Sequence, residues 1–348
     1  FDVNMNDITK RTEISSLGEF GLIEHLTKNI ELKSAFTVCG VGDDAAVIDN
    51  SGNLTVVTTD LLIENVHFDL AYTPLKHLGY KSIIVNLSDV YAMNARPKQV
   101  TVSIAVSNRF SVESLEELYE GIYFACDEHG VDLVGGDTSS SLSGLVISVT
   151  AIGEITEEKL SYRSGAKTGD IICVSGDLGA SYVGLQMLER EKQIYLESPA
   201  VQPDLENKSH IIGKFLKPTA RKNIIDFFEK ENIIPNAMID VSDGLSSDLL
   251  HICKQSKCGA HIYESKLPIL EETYNSALNF NLDPTMCAMS GGEDYELLFT
   301  IPTKDLNKIM ENPAITIIGK IVDLENGCIL ETKGGSQHKI TAQGWTHL

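Results

Sequence analysis

The pair Asp43-Asp44, set between Gly40-Val41-Gly42 and Ala45-Ala46, is the first chemistry the sequence offers. Adjacent carboxylates repel each other and resist desolvation unless a cation or a hydrogen-bond donor compensates them. The small neighbours leave room for that cation and for a ligand behind it. The same grammar, an acid beside Gly, Ser, Thr or Asn at the end of an apolar run, recurs along the chain. It appears in Thr58-Thr59-Asp60, Asn86-Leu87-Ser88-Asp89, Gly135-Gly136-Asp137-Thr138, Asp240-Val241-Ser242-Asp243-Gly244 and Ser290-Gly291-Gly292-Glu293-Asp294. One such motif is a surface turn. A set of them suggests a site for several metal ions.

Each motif also has an ordinary reading. Asp43-Asp44 suits a solvated hairpin turn, and Asp89 suits the surface face of a helix. Gly135-Gly136 fits a tight turn as well as a phosphate, which adjacent glycines let approach the backbone. Capping of the following helix accounts for one of Asp240 and Asp243 but not for both. Asp60 follows the β-branched run 56–59 and is expected to project from a strand end. Arg163, before Ser164-Gly165-Ala166-Lys167, suits a phosphate or a surface turn equally. His67 beside Phe68 and Trp345, the sole tryptophan, are weak signals alone.

Other chemistries lack their residues. No Gly-x-x-x-x-Gly-Lys-Ser/Thr loop occurs, and Gly40-x-Gly42 lacks the third glycine of a dinucleotide fingerprint. Neither a Gly-x-Ser-x-Gly elbow nor a His-Glu-x-x-His pair is present. Acidic residues outnumber basic ones by 49 to 28, a net charge of −21, which argues against a nucleic-acid partner. An acidic cleft accepts an anionic substrate only through divalent cations, of which magnesium (Mg2+) is the usual one. The seven cysteines are scattered without a Cys-x-x-Cys pair and read as thiols of a reducing cytoplasm. No apolar run is long enough to imply a membrane span.

These motifs need elements to hold them. A helix is expected within 16–32, strands at 37–41 and 54–59, and a long helix from Pro74 to Met93. A strand follows at 100–106, then a helix opened near Ser111, where Ser114…Glu117 fits a capping box. Strands at 131–134 and 145–155 close a first domain, 1–155. The second domain, 156–348, is expected to hold strands at 170–175, 237–241, 260–264, 295–301 and 315–321. Its helices are expected at 180–190, 221–231, 246–255 and 303–310, with a loop over 197–207. Interleaved strands and helices throughout give an α/β (α+β) class in two domains.

Taken in order, Gly-Asp-Asp-Ala-Ala, Thr-Thr-Asp, Asn-Leu-Ser-Asp-Val-Tyr-Ala-Met, Gly-Gly-Asp-Thr, Arg-Ser-Gly-Ala-Lys-x-Gly-Asp, Asp-Val-Ser-Asp-Gly-Leu and Ser-Gly-Gly-Glu-Asp-Tyr-Glu-Leu resemble the thiamine-monophosphate kinase family. The resemblance runs from about Gly18 to Trp345. It implies an aminoimidazole ribonucleotide synthetase-like fold and transfer of the γ-phosphoryl group of ATP, as co-substrate, to thiamine monophosphate. It also implies a cytoplasmic homodimer paired through the sheets of the N-terminal domains, with ATP near that interface. By motif, Asp44, Thr58, Thr59, Asp60, Asp89, Asp137, Asp240 and Asp243 resemble the family's magnesium-binding set. Tyr119, Gly136, Asp137, Arg163 and Ser242 resemble its nucleotide contacts, with Tyr123, one helical turn on, an alternative to Tyr119. His67, Glu293 and Trp345 resemble its contacts to thiamine phosphate. The segment 194–211 matches no motif. Rival readings are another enzyme of the superfamily such as selenophosphate synthetase, a metal-dependent phosphatase, and a non-catalytic metal-binding module.

Overall fold

The computed structural model describes residues 18–29, 33–200 and 208–342. Helix α1 (Gly18–Thr27) lies within the expected 16–32, whose two ends are outside the described residues, and belongs to a small unit of its own. All other elements lie in a second compact unit, residues 36–345.

In its first half that unit runs β1 (Thr37–Cys39), β2 (Ala46–Asp49), β3 (Leu54–Ile63), α2 (Leu75–Ala92), β4 (Arg96–Val106), α3 (Val112–His129), β5 (Asp132–Ser140) and β6 (Val146–Ile155). The strands form one sheet in the order β1-β2-β3-β6-β4-β5, antiparallel except for the parallel pair β4–β5. β6 shows why the sheet forms: buried and half-buried residues alternate along most of it, as a strand with one covered face requires. α2 differs, because nearly every residue from Leu78 to Ala92 is buried. It packs against α3, the first sheet and, from the second half of the chain, the strand Ala237–Val241 and the helix Ser209–Leu216. A helix buried nearly all round belongs in such a place, although its buried residues include Lys81, Asn86 and Ser88. Gly79 and Gly121 make its approach to α3 possible, since a Cβ on Gly79 would lie 1.9 Å from the Leu118 carbonyl oxygen and one on Gly121 1.9 Å from that of Lys76.

The second half runs β7 (Ile171–Ser175), α4 (Ala180–Glu197), α5 (Ser209–Leu216), α6 (Lys222–Glu231), β8 (Ala237–Val241), α7 (Leu245–Ser256) and β9 (Gly259–Tyr263). It continues with α8 (Glu271–Asn279), α9 (Pro284–Ser290), β10 (Glu296–Ile301), α10 (Leu306–Met310), β11 (Ile315–Val322), β12 (Cys328–Glu331) and β13 (Gln337–Lys339). Its sheet has the order β13-β12-β9-β11-β7-β10-β8, again mixed. The change of sheet falls between β6, which ends at Ile155, and β7. One apolar core nevertheless runs through both halves, from Ile83 and Leu87 of α2 to Phe228 of α6 and Phe299 of β10.

Several expected bounds move. The turn at 51–53 joins β2, which was not foreseen, to β3. β3 continues through Thr59-Asp60 to Ile63, and β5 through Gly135-Gly136-Asp137-Thr138 to Ser140, so these motifs sit inside strands and not at their ends. Pairing on both sides of β3, and of β5 with β4, outweighs the turn-forming residues. Ser111, not Ser114, caps α3, its hydroxyl accepting from the Ser114 amide at 3.2 Å. α4 extends seven residues past the expected 190, to Glu197.

Candidate active site

Asp44 lies just before β2, Asp89 near the end of α2, and Asp240 in β8. Their carboxylates place one oxygen each within 4.8 Å of one another. Sequence-distant elements converge there because α2 wedges between the two halves. Its residues hold the neighbours: Thr58 Oγ1 donates to Asp89 Oδ2 at 2.6 Å, and Ser88 Oγ to Asp240 Oδ2 at 2.7 Å. The Asp60 backbone amide donates to Asn86 Oδ1 at 3.0 Å.

The electrostatics are those of crowded acids. Burial, then the Asp60, Asp240 and Asp44 charges, push Asp89 well above the usual carboxyl range. Asp240 is pushed up to about 8 by burial and then Asp44, and Asp60 to about 6 by burial. One cation answers them. The Arg163 guanidinium grips Asp44 with both Nε, at 3.1 Å, and Nη2, at 2.8 Å. Asp43 accepts from the Arg163 amide at 3.1 Å, and burial followed by the Asp44 charge pushes it up to about 7.

Ser242 and Asp243 follow β8, both half-buried. The Ser242 carbonyl accepts the Glu293 amide at 2.7 Å, bringing the last acid motif against this turn. Glu293 and Tyr295 have left-handed backbones, φ 57° and 50°. The Tyr295 hydroxyl is raised by burial first, then by Glu293, Asp60, Asp240 and Asp89, so these acids surround one tyrosine. His67 Nδ1 accepts the Ile63 amide at 3.0 Å, which places the ring's proton on Nε2.

The remaining candidates lie elsewhere. In the first sheet Asp60 is in register with Val149, Val102 and Gly136, whereas Asp137 is in register with Ser103, Ser148 and Leu61. Neighbouring rows face opposite sides of a sheet. Asp60 therefore shares the inner face with Thr58, while Asp137 and Thr59 lie on the outer face, both exposed. Thr59 Oγ1 donates to the Val149 carbonyl at 2.9 Å. Tyr119, half-buried on α3, meets Tyr123 edge-on with ring centroids 5.9 Å apart. Trp345 lies outside the described residues.

Sequence reasoning missed two charged groups. Lys81, on α2, is buried and ion-paired with Glu293 at 3.0 Å. Asp248, in the first turn of α7, is buried, and its Oδ2 has no hydrogen-bond partner among the described residues. Burial first, then Asp243 and Asp240, raise that carboxyl well above its usual range. Its signal was its position eight residues after Asp240 and five after Asp243. Lys81 gave none, because a lysine inside an apolar helix reads as a surface residue. The donor set is all oxygen and strongly anionic, which fits a hard divalent cation such as magnesium.

Residues 42–155 match the family described as AIR synthase related protein, N-terminal domain. The chain is 35% identical over 335 residues to thiamine-monophosphate kinase of Aquifex aeolicus, covering 96% of this chain and 99% of that one. It is 32% identical to the Bacillus subtilis enzyme of the same name, covering 95% and 100%. Among solved structures it is similar to AaThiL complexed with AMPPCP and TMP, with a TM-score of 0.82 and 33% identity over 98% of this chain and 100% of that one. The chain belongs to the thiamine-monophosphate kinase family.

Proposed function

We propose that the acid cluster assembles magnesium, ATP and thiamine monophosphate for direct in-line phosphoryl transfer, giving ADP and thiamine diphosphate. The observation that carries it is the convergence of Asp44, Asp89 and Asp240, from both halves of the chain, on one point. A relative bound to AMPPCP and TMP together supports both substrates.

Transfer between two anions asks the protein for positioning and charge neutralisation more than for covalent chemistry. Asp44, Asp89 and Asp240 would hold magnesium, with Thr58, Asp60 and Asp243 beside them, and magnesium supplies charge neutralisation for the phosphates. Arg163 and the Ser242 turn would meet the nucleotide, and His67, Glu293 and Trp345, assigned by motif, would meet the acceptor. The acceptor phosphate is already ionised at neutral pH, so no strong base is required.

The outer face of the first sheet, with Thr59 and Asp137, is the surface that the proposed homodimer would cover. Gly136 and Tyr119 are assigned to the nucleotide by motif. The division into a metal- and ATP-binding part, 1–155, and a second α/β part, 156–348, follows the change of sheet. A cytoplasmic location accords with the seven free cysteines, and no described helix is long and apolar enough to cross a membrane.

Incubation with ATP, magnesium and thiamine monophosphate tests the reading. Thiamine diphosphate and ADP in equal amounts are expected, with none formed under chelation. Release of free phosphate without thiamine diphosphate would mark a phosphatase instead.

A further inference from the structure

Lys81 combines two features that rarely occur together. Its side chain is 3% exposed, yet its partner Glu293, 3.0 Å away, is 30% exposed. A buried ammonium needs a carboxylate, because without one it is left as an uncompensated buried charge. Here only the lysine is enclosed. Its ammonium also lies 4.2 Å from the centre of the Phe215 ring.

The backbone under Glu293 is fixed independently. Gly292, Glu293 and Tyr295 all have positive φ, 71°, 57° and 50°. The conformation is held by the Glu293 amide on the Ser242 carbonyl at 2.7 Å and the Tyr295 amide on the Val241 carbonyl at 2.9 Å. The Asp294 carboxylate accepts from the Gly179 amide at 2.8 Å, at the start of α4. What this leaves undetermined is the Glu293 side chain, which has several rotatable bonds. Lys81 holds one of its oxygens, and α2, which carries Lys81, also carries Ser88 and Asp89 of the metal cluster.

We infer that Lys81 is a positioning residue for the acceptor: it fixes the Glu293 carboxylate so that its exposed side faces thiamine monophosphate. Lys81 itself stays behind Glu293, closed off by Phe215. The inference rests on the reading above that Glu293 meets the acceptor.

Steady-state kinetics with each substrate varied separately test it, on the wild type, Lys81→Met, Glu293→Gln and the double variant, with melting temperatures alongside. Lys81→Met is expected to raise KM for thiamine monophosphate by about 10- to 50-fold and KM for ATP by less than about 2-fold, while adding less than about 3-fold to Glu293→Gln. An equal loss in both backgrounds would show Lys81 acting on substrate without Glu293, and would overturn the inference. So would a lowered melting temperature with unchanged KM values. If Lys81→Met does not fold, Lys81→Arg carries the same test, because it keeps the charge. Its shift in KM for thiamine monophosphate must then vanish in the Glu293→Gln background, and persistence there overturns the inference. A wild type that forms no thiamine diphosphate overturns the functional reading itself, before any variant is compared.

Discussion

Ser88 Oγ donates to Asp240 Oδ2 at 2.7 Å, joining residues 152 positions apart in the chain. The bond ties α2 to β8 and favours the charged form of an aspartate that burial and Asp44 push up to about 8. Ser88→Ala should push Asp240 higher still. A hydrogen bond to a charged group contributes about 1.5–3 kcal/mol, so magnesium activation at pH 7 should weaken by roughly tenfold and recover towards pH 9. Magnesium titrations of activity at both pH values check this. An unchanged dependence at pH 7 would count against the assignment of Asp240.

Asp89→Asn and Asp44→Asn should separate charge repulsion from pairing. Among the described residues Asp89 has only Thr58 as a side-chain hydrogen-bond partner, and three acids crowd it. Its neutralisation should leave the chelated protein at least as stable, abolish stabilisation by magnesium and lower turnover by about 100-fold or more. Asp44 is fully buried against a partly exposed Arg163, so removing it should cost less than the about 3–5 kcal/mol of a wholly buried pair but still a measurable amount. Asp44→Asn should therefore lose stability as well as activity. Denaturant titrations with and without magnesium make the comparison; equal stability of the two variants would be the contrary result.

Stability of the chelated protein should fall as pH rises from 7 to 8.5. Folded Asp43 and Asp294 titrate at about 7 and Asp240 at about 8, with Asp89 and Asp248 also raised, all chiefly by burial. In the unfolded chain these carboxyls have already ionised near pH 4. The folded state thus holds more protons, and stability present at low pH is lost as pH passes the folded values. His210, raised by its bond to Asp177, acts in the same direction. The lowered histidines His77, His129 and His251 act mainly below this window. Melting temperatures in chelator should drop by a few degrees, and stabilisation by magnesium should be larger at pH 8.5. A flat or rising profile would contradict the burial of these acids.

Two alanine substitutions should have opposite signs. A Cβ at Gly79 meets backbone at 1.9 Å, whereas one at Gly213, within α5, meets nothing within 4 Å. Gly79→Ala should destabilise by about 1–3 kcal/mol or more through overpacking. Gly213→Ala should stabilise by about 0.4–1 kcal/mol through the unfolded state. Denaturation midpoints decide.

Trp345 is the sole tryptophan, so fluorescence reports it without ambiguity. Thiamine monophosphate should quench or shift the emission more than ATP does. Trp345→Ala should weaken the acceptor by about 5- to 30-fold, on the roughly 1–2 kcal/mol scale of a desolvated cation–π contact, and Trp345→Phe by much less. Equal responses to both ligands would remove it from the site.

Much of this site was legible because carboxylates between small residues at strand and helix ends are costly without a ligand, and Asp44, Asp89 and Asp240 do converge. The strands expected at 54–59 and 131–134 form, but their continuation through Asp60 and through Gly136-Asp137 was not legible. There the ladder decides which face a residue takes, and a shift of one position reverses it. α5, α8 and α9 were missed, being short helices whose formation depends on tertiary packing more than on local periodicity. Lys81 was invisible because its partner, adjacent in space, lies more than two hundred positions away in the chain.

The placement of Lys81, Ser88 and Asp89 on one helix has a consequence for how the gene can change. Each residue added to a helix turns everything beyond it by about 100° and advances it by about 1.5 Å. One codon inserted between Lys81 and Ser88 would swing Ser88 and Asp89 away from Asp240 while Lys81 kept Glu293. The stretch should therefore accept substitutions far more readily than changes of length. The connection between α4 and α5, which carries no assigned residue, is where insertions and deletions are expected to accumulate.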